Sequence, residues 1–170
     1  AEVGRLDAAE ADGLRHYLSQ GGGLWINPPS NLDAAAQFVA DPAVAEFSAG
    51  SRLSLGDPVS RLVAPPPYNH SITGFWNQVS AGSLDSFLVD RYLRIAPSDS
   101  LESVLKLENG DWLFASTYYD SGRVFLSAIP VDREWSDLPL AAQFVPLVLR
   151  ILAWLGGRGV PRLSFRRRGI

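Results

Sequence analysis

Few residues in this chain can do chemistry. Cysteine is absent and histidine occurs twice, at His16 and His70. Disulfides, thiolate nucleophiles and Cys- or His-rich metal centres are therefore excluded. Serine chemistry would need a base. His70 is the sensible one, because His16 falls within an expected surface helix. Ser116 and Ser127 lie at or near the ends of expected strands, where nucleophiles can sit. The nucleophile-elbow pattern G-x-S-x-G does not occur, and Val79-Ser80-Ala81-Gly82 and Phe47-Ser48-Ala49-Gly50 both lack the leading glycine. Strand-end serines more often satisfy backbone groups than attack substrates, so the structural reading of both is preferred.

Carboxylates offer a second chemistry. Asp132, Glu134 and Asp137 cluster beside Arg133. Oxygen-donor sites for Ca²⁺ or Mg²⁺ can have this look. Arg133 would compete for the same carboxylates, however, and Asp137 is placed to cap a helix beginning near Pro139. No metal and no cofactor are assigned. Phosphate binding fares no better. Gly21-Gly22-Gly23 precedes a strand, so it lacks the helix N-terminus that would cradle the anion. Among the aromatic residues, Trp76 and Trp135 fall in expected loops and are the candidates for exposed contacts. Trp25, Trp112 and Trp154 fall at core spacing.

These residues must be positioned by a recognisable series of elements. Asp7 and Glu10 have the spacing of a capping box, and Leu6, Leu14, Tyr17 and Leu18 follow as an apolar helical stripe. The three glycines stop that helix, and Leu24-Trp25-Ile26 reads as a short buried strand ended by Pro28-Pro29. Residues 31–47 read as helical, broken near Pro42. Residues 48–86 are rich in Ser, Gly and Pro, with a short helix expected at 72–79. Strands follow at 87–95, 104–107, 112–116 and 123–129, with Asn109-Gly110 as a strong hairpin signal. The result is an antiparallel meander. Residues 140–155 are almost wholly apolar. Pro146, Gln143 and Arg150 argue for a buried packing helix there rather than a membrane span. Residues 160–165 could form an edge strand or the first strand of a following domain.

At 46% hydrophobic and 19% charged, the 170 residues have globular composition. All 18 acidic side chains lie in residues 1–157, whose net charge is −8. An acidic body argues against nucleic acid as the main partner. Residues 158–170 hold Arg158, Arg162, Arg166, Arg167 and Arg168 and no acid, and read as a solvated tail or linker. Methionine is absent and the chain begins at Ala1, the look of an excised segment or a processed product.

The run D-R-E-W-S-D-L-P at 132–139, with the apolar stretch that follows, resembles the last strand-to-helix segment of a known bacterial domain. The segment from Leu6 to Ile26, with its G-G-G-L-W-I ending, resembles the helix, glycine turn and strand of the same domain. His70 to Phe75 and Phe87 to Leu93 fit its middle. The domain is the glutamine-amidotransferase-like one of membrane-anchored proteins with an N-terminal double-transmembrane region of the aerotolerance BatA type, often carrying a von Willebrand factor A domain.

The resemblance implies a three-layer, flavodoxin-like α/β sandwich of the class I glutamine amidotransferase type over residues 1–157, with a mixed sheet and an N-terminal truncation; Val3 would be the tail of a lost strand. Amidotransferase activity is not implied, because the cysteine nucleophile is missing. The resemblance further implies an inner-membrane parent whose arginine-rich loop is cytoplasmic and whose domain faces the periplasm. The expected role is non-catalytic binding or assembly with protein partners in the cell envelope. The expected recognition edge comprises the loops around Pro28, His70 and Arg133, because ligands of open α/β sheets gather at the carboxyl ends of strands. In it Arg133 clamps an acidic group, Trp135 stacks, and Glu134 or Asp137 accepts hydrogen bonds. The competing expectation is a hydrolase or carbohydrate-active domain using Ser or carboxylate chemistry.

Overall fold

A computed structural model describes residues 6–157. Helix α1 (Ala8–Ser19) starts where the capping box forms: Asp7 Oδ1 accepts from the Glu10 amide at 2.8 Å, and Glu10 Oε2 accepts from the Asp7 amide at 2.9 Å. It ends at Gln20, and Gly21 turns the chain at φ +88°. Strand β1 (Gly23–Ile26) follows at once. Helices α2 (Leu32–Val39) and α3 (Pro42–Phe47) are capped by the Asn31 and Asp41 side chains, and Pro42 fits the first turn of α3, where no amide is needed.

Five short strands come next: β2 (Leu53–Leu55), β3 (Arg61–Leu62), β4 (Leu88–Val89), β5 (Leu93–Ile95) and β6 (Glu102–Lys106). Strands β7 (Trp112–Tyr119) and β8 (Gly122–Ser127) and helix α4 (Phe144–Leu155) complete the chain. The main sheet is mixed, in the order β1-β8-β7-β6. Strand β1 pairs parallel to β8 from Gly23↔Arg123 to Ile26↔Leu126, and β8, β7 and β6 form the antiparallel meander. The β6–β7 turn is the three-residue loop Glu108-Asn109-Gly110, closed by the Leu107 amide on the Asp111 carbonyl at 2.8 Å, with Gly110 alone at positive φ, +87°.

Helices cover both faces of this sheet. Trp25, Phe114 and Phe125 share one face and meet edge to face or tilted, at centroid separations of 5.4–5.5 Å. Leu147 and Ile151 of α4 lie over that cluster. A Cβ on Gly23 would sit 2.5 Å from the Leu155 carbonyl oxygen, so the end of α4 presses directly on β1. On the other face a Cβ on Gly122 would meet Leu18 Cδ2 at 2.8 Å, which places α1 there. Val124 and Leu126 are fully buried, and Phe47 of α3 packs on Tyr119. Each such side chain stabilises the fold by roughly 1.5–3 kcal/mol when fully buried.

The expected strand at 87–95 is two strands instead. β4 pairs with β3 and β5 with β2, in separate two-stranded sheets. The paired residues are separated by 26–28 positions for β3 and β4 and by 38–42 for β2 and β5, beyond the reach of any local pattern. The expected helix at 72–79 is a pair of 3₁₀ turns, Gly74–Asn77 and Val79–Ala81. The helix expected from residue 140 is divided into a 3₁₀ turn (Leu138–Leu140) and α4 proper. Among the described residues no helix is long and apolar enough to cross a membrane. Val3, residues 160–165 and the arginine-rich tail lie outside the described residues.

Candidate functional site

His70 and Ser116 do meet. His70 Nε2 lies 3.0 Å from Ser116 Oγ, and both residues are buried. Ser116 is not at a strand end, because β7 runs on through Thr117, Tyr118 and Tyr119. It projects from the middle of the α4 face of the sheet, opposite Phe125 in the β7–β8 register. The His70 ring meets Trp154 of α4 at 5.7 Å in an edge-on contact.

The pair is wired in the sense opposite to a catalytic one. His70 Nδ1 accepts from the Ile72 amide at 3.2 Å. A backbone N–H can only donate, so the ring's lone pair is at Nδ1 and the proton is on Nε2. That proton is given to Ser116 Oγ. A general base needs the reverse, with Nε2 accepting from the serine and Nδ1–H held by a carboxylate. The nearest carboxylate, Glu102 Oε2, lies 3.8 Å from Nε2, on the serine's side of the ring. Burial pushes the His70 pKa below its ordinary value, against a smaller upward pull from Glu102. The imidazole is therefore held neutral, and it serves as a strut between loop and sheet.

Ser127, the other candidate, donates its hydroxyl to the Ile129 carbonyl at 2.6 Å, which is a turn-closing role. Two contacts that the sequence reading missed hold the His70 segment in place. Thr73 Oγ1 donates to the Val104 carbonyl at 2.9 Å. Arg150, buried in α4, donates to the Ile72 and Ser71 carbonyls at 2.6 and 2.8 Å and faces the Phe75 ring at 5.0 Å. A single cation in an otherwise apolar helix was the available signal for Arg150.

The 132–137 run forms a different region, at the carboxyl ends of the parallel pair β1 and β8. Trp135 is 3% exposed and donates Nε1–H to the Ser30 carbonyl at 2.9 Å, tying the loop after β8 to the loop after β1. Its own carbonyl accepts from the Asp90 and Arg91 amides. The expectation that Trp135 stacks on a ligand is thereby corrected. Trp76 is corrected likewise: it is 2% exposed, and its Nε1–H donates to Gln143 Oε1 at 2.8 Å. A loop tryptophan here finds a partner for its one donor and is buried.

Asp132 Oδ1 accepts from the Glu134 amide at 3.0 Å, which closes a local turn. Asp137 stands at the start of the 3₁₀ turn but makes no side-chain cap. Arg133, Glu134 and Asp137 are exposed. Pro28 and Arg133 therefore share one edge, while His70 lies under α4 on the face of the sheet, and the three-part edge is not assembled as expected. Among the described residues, no three His, Asp or Glu side chains gather as a metal-holding group.

Cavities are small. The space enclosed by Trp25, Ser127, Val131 and Ile151 amounts to about 10 Å³, at or below the room one water needs. A groove of about 180 Å³ runs between Pro65, Pro67 and Tyr68 and the outer edge of β6. That is below the usual size of a small-molecule pocket. Trp25 Nε1 and Asn27 Oδ1, at the end of β1, are buried with no hydrogen-bond partner among the described residues.

No protein-family model and no curated protein matches this chain. Solved structures do. Cytoplasmic protein STM3548 from Salmonella typhimurium superposes with a TM-score of 0.65 at 13% identity, over 88% of this chain and 61% of that one. Cytoplasmic protein STM1381 from Salmonella typhimurium LT2 superposes with a TM-score of 0.58 at 18% identity, over 86% of this chain and 58% of that one. At such identities the likeness is one of fold, and this chain spans about three fifths of each of those proteins.

Proposed function

We propose that this chain is a non-catalytic α/β binding and assembly domain on a flavodoxin-like scaffold of the class I glutamine-amidotransferase type. Its parent is a membrane-anchored bacterial protein, and the domain faces the periplasm and meets protein partners there. The observation that carries the reading is the wiring of His70. The buried Ser–His contact holds its proton on the nitrogen that a serine base must keep free. The absence of cysteine removes the amidotransferase nucleophile. Helices on both faces of a sheet with a parallel β1–β8 pair support the scaffold. Binding is assigned to the edge after β1 and β8, where Arg133 and Glu134 are exposed on a loop that Trp135 anchors from beneath.

Serine hydrolysis is the second reading, carried by the 3.0 Å contact of His70 with Ser116. An ester-hydrolysis assay with p-nitrophenyl acetate separates the two. The wild type and Ser116→Ala should both stay at the buffer rate. Turnover by the wild type that Ser116→Ala abolishes would install the hydrolase instead.

The edge is tested by a photo-crosslinking residue at Arg133 in the parent protein, against a control at Gly110 on the β6–β7 turn. A discrete protein adduct from position 133 alone is expected, and equal adducts from both positions would reject the edge. For location, Ser80→Cys in the parent chain should react with a membrane-impermeant maleimide in intact spheroplasts. Labelling only after lysis would place the domain on the other side.

A further inference from the structure

Helix α4 is apolar on every side. Leu147, Ile151, Trp154 and Leu155 are buried against the sheet, whereas Val145, Leu149 and Leu152 are 62%, 56% and 51% exposed. Their i, i+4, i+7 spacing makes a single outward stripe. Leu140, just before the helix, is 61% exposed. The sole charged side chain of the helix, Arg150, turns inward to the Ser71 and Ile72 carbonyls. The solvent side of α4 thus carries no charge over its whole length.

We propose that this face is the interface with a second copy of the chain, packed antiparallel across a two-fold axis at Leu149. An isologous contact requires a patch complementary to itself. The stripe meets that condition. With the axis beside Leu149, midway between Val145 and Leu152, Val145 faces Leu152 of the second copy, and Leu152 faces its Val145. Charge on such a patch would meet its own image near the axis and repel, and none is present. A partner recognised by charge has nothing on this face to read.

Size sets the strength. At about 1.5 Å per residue the helix is roughly 18 Å long. The three exposed side chains of the stripe on each copy fall short of the roughly 1,000 Å² total that a stable, specific interface buries. The dimer is accordingly weak and reversible. It supplies one partner for the assembly role and rests on that reading. The ester assay decides the catalytic question without touching α4, and the experiment below decides α4 without touching His70.

The test is sedimentation equilibrium of the 170-residue chain between about 5 and 200 μM, spanning weak micromolar association. The wild type should rise with concentration from 18.5 kDa toward twice that mass. Leu149→Glu and Leu149→Lys should each weaken association by at least about 100-fold, because like charges meet at the axis. An equimolar mixture of the two should regain it. Both variants lie at an exposed position, so their melting temperatures should match the wild type, as a check on folding. A wild type that stays monomeric throughout would overturn the proposal. So would a dimer that survives Leu149→Glu, or a mixture that fails to associate.

Discussion

His70 shows how one ring can be read from the hydrogen bonds on its two nitrogens. The Ile72 amide fixes the tautomer, and Ser116 receives the remaining proton. Two consequences follow at this scale. Ser116→Ala leaves the Nε2–H of a buried imidazole without its acceptor, at a cost of about 1–3 kcal/mol by chemical denaturation. The second consequence is a pH slope. Burial lowers the folded-state pKa of His70 below the ordinary 6.5, so the unfolded chain takes up a proton that the folded chain refuses. Stability is therefore full above 6.5 and falls as pH drops from there toward the folded pKa. Melting temperature should decline as pH falls below about 6.5 in the wild type. His70→Gln keeps a donor for Ser116 and cannot titrate, so its profile should be flatter. Glu46 does not mimic this. Arg15, hydrogen-bonded to it, holds its carboxyl below the usual range, so its loss belongs to more acid pH. Parallel profiles for wild type and His70→Gln would remove His70 as the titrating group.

At the scale of elements, two glycines make opposite predictions. Gly23 lies where the end of α4 crosses β1, and a Cβ there would stand 2.5 Å from the Leu155 carbonyl. Backbone must move to admit it, so Gly23→Ala should destabilise by about 1–3 kcal/mol. Gly13 sits mid-way along α1 with nothing within 4 Å of an added Cβ. Gly13→Ala should stabilise by roughly 0.5–1 kcal/mol through helix propensity. Denaturant midpoints of the two variants check both signs.

The same scale shows what the sequence made legible. The capping box of α1, the glycine stop, the break at Pro42 and the Asn109-Gly110 hairpin are all local devices. Each was readable within a few residues. The division of 87–95 between two small sheets depends on pairing with β2 and β3, which no local pattern records. At the site, the candidates Ser116 and His70 were both visible, but their roles hinge on the Ile72 amide, a group with no side-chain signature. Trp135 was visible as a loop aromatic. Its burial depends on Ser30, 105 residues away in the chain.

At the scale of the whole molecule, one long irregular segment must be kept on the sheet without a ladder of its own. Residues 70–77 are held from two sides. From the sheet, Ser116 takes the His70 proton and the Val104 carbonyl takes the Thr73 hydroxyl. From the helix layer, Arg150 donates to the Ser71 and Ile72 carbonyls and spreads its guanidinium near Phe75 and Trp76. Desolvation pushes the Arg150 pKa down, so the charge is kept there at an electrostatic cost that its hydrogen bonds offset. Arg150→Met keeps the aliphatic stem and removes the donors. It should lower global stability by about 1–3 kcal/mol. The more telling readout is native-state hydrogen exchange. The amides of Thr73, Gly74 and Trp76 are bonded only within this segment, to His70 and Thr73 carbonyls. They should exchange faster in Arg150→Met by more than the global loss explains. The amides of β7 and β8, flanked by strands on both sides, should change only by that global amount. If 70–77 and the central strands shift together, Arg150 is merely part of the core. If 70–77 alone opens, the arginine is the clasp that binds the irregular segment to α4, and the two layers above this face of the sheet are joined through it.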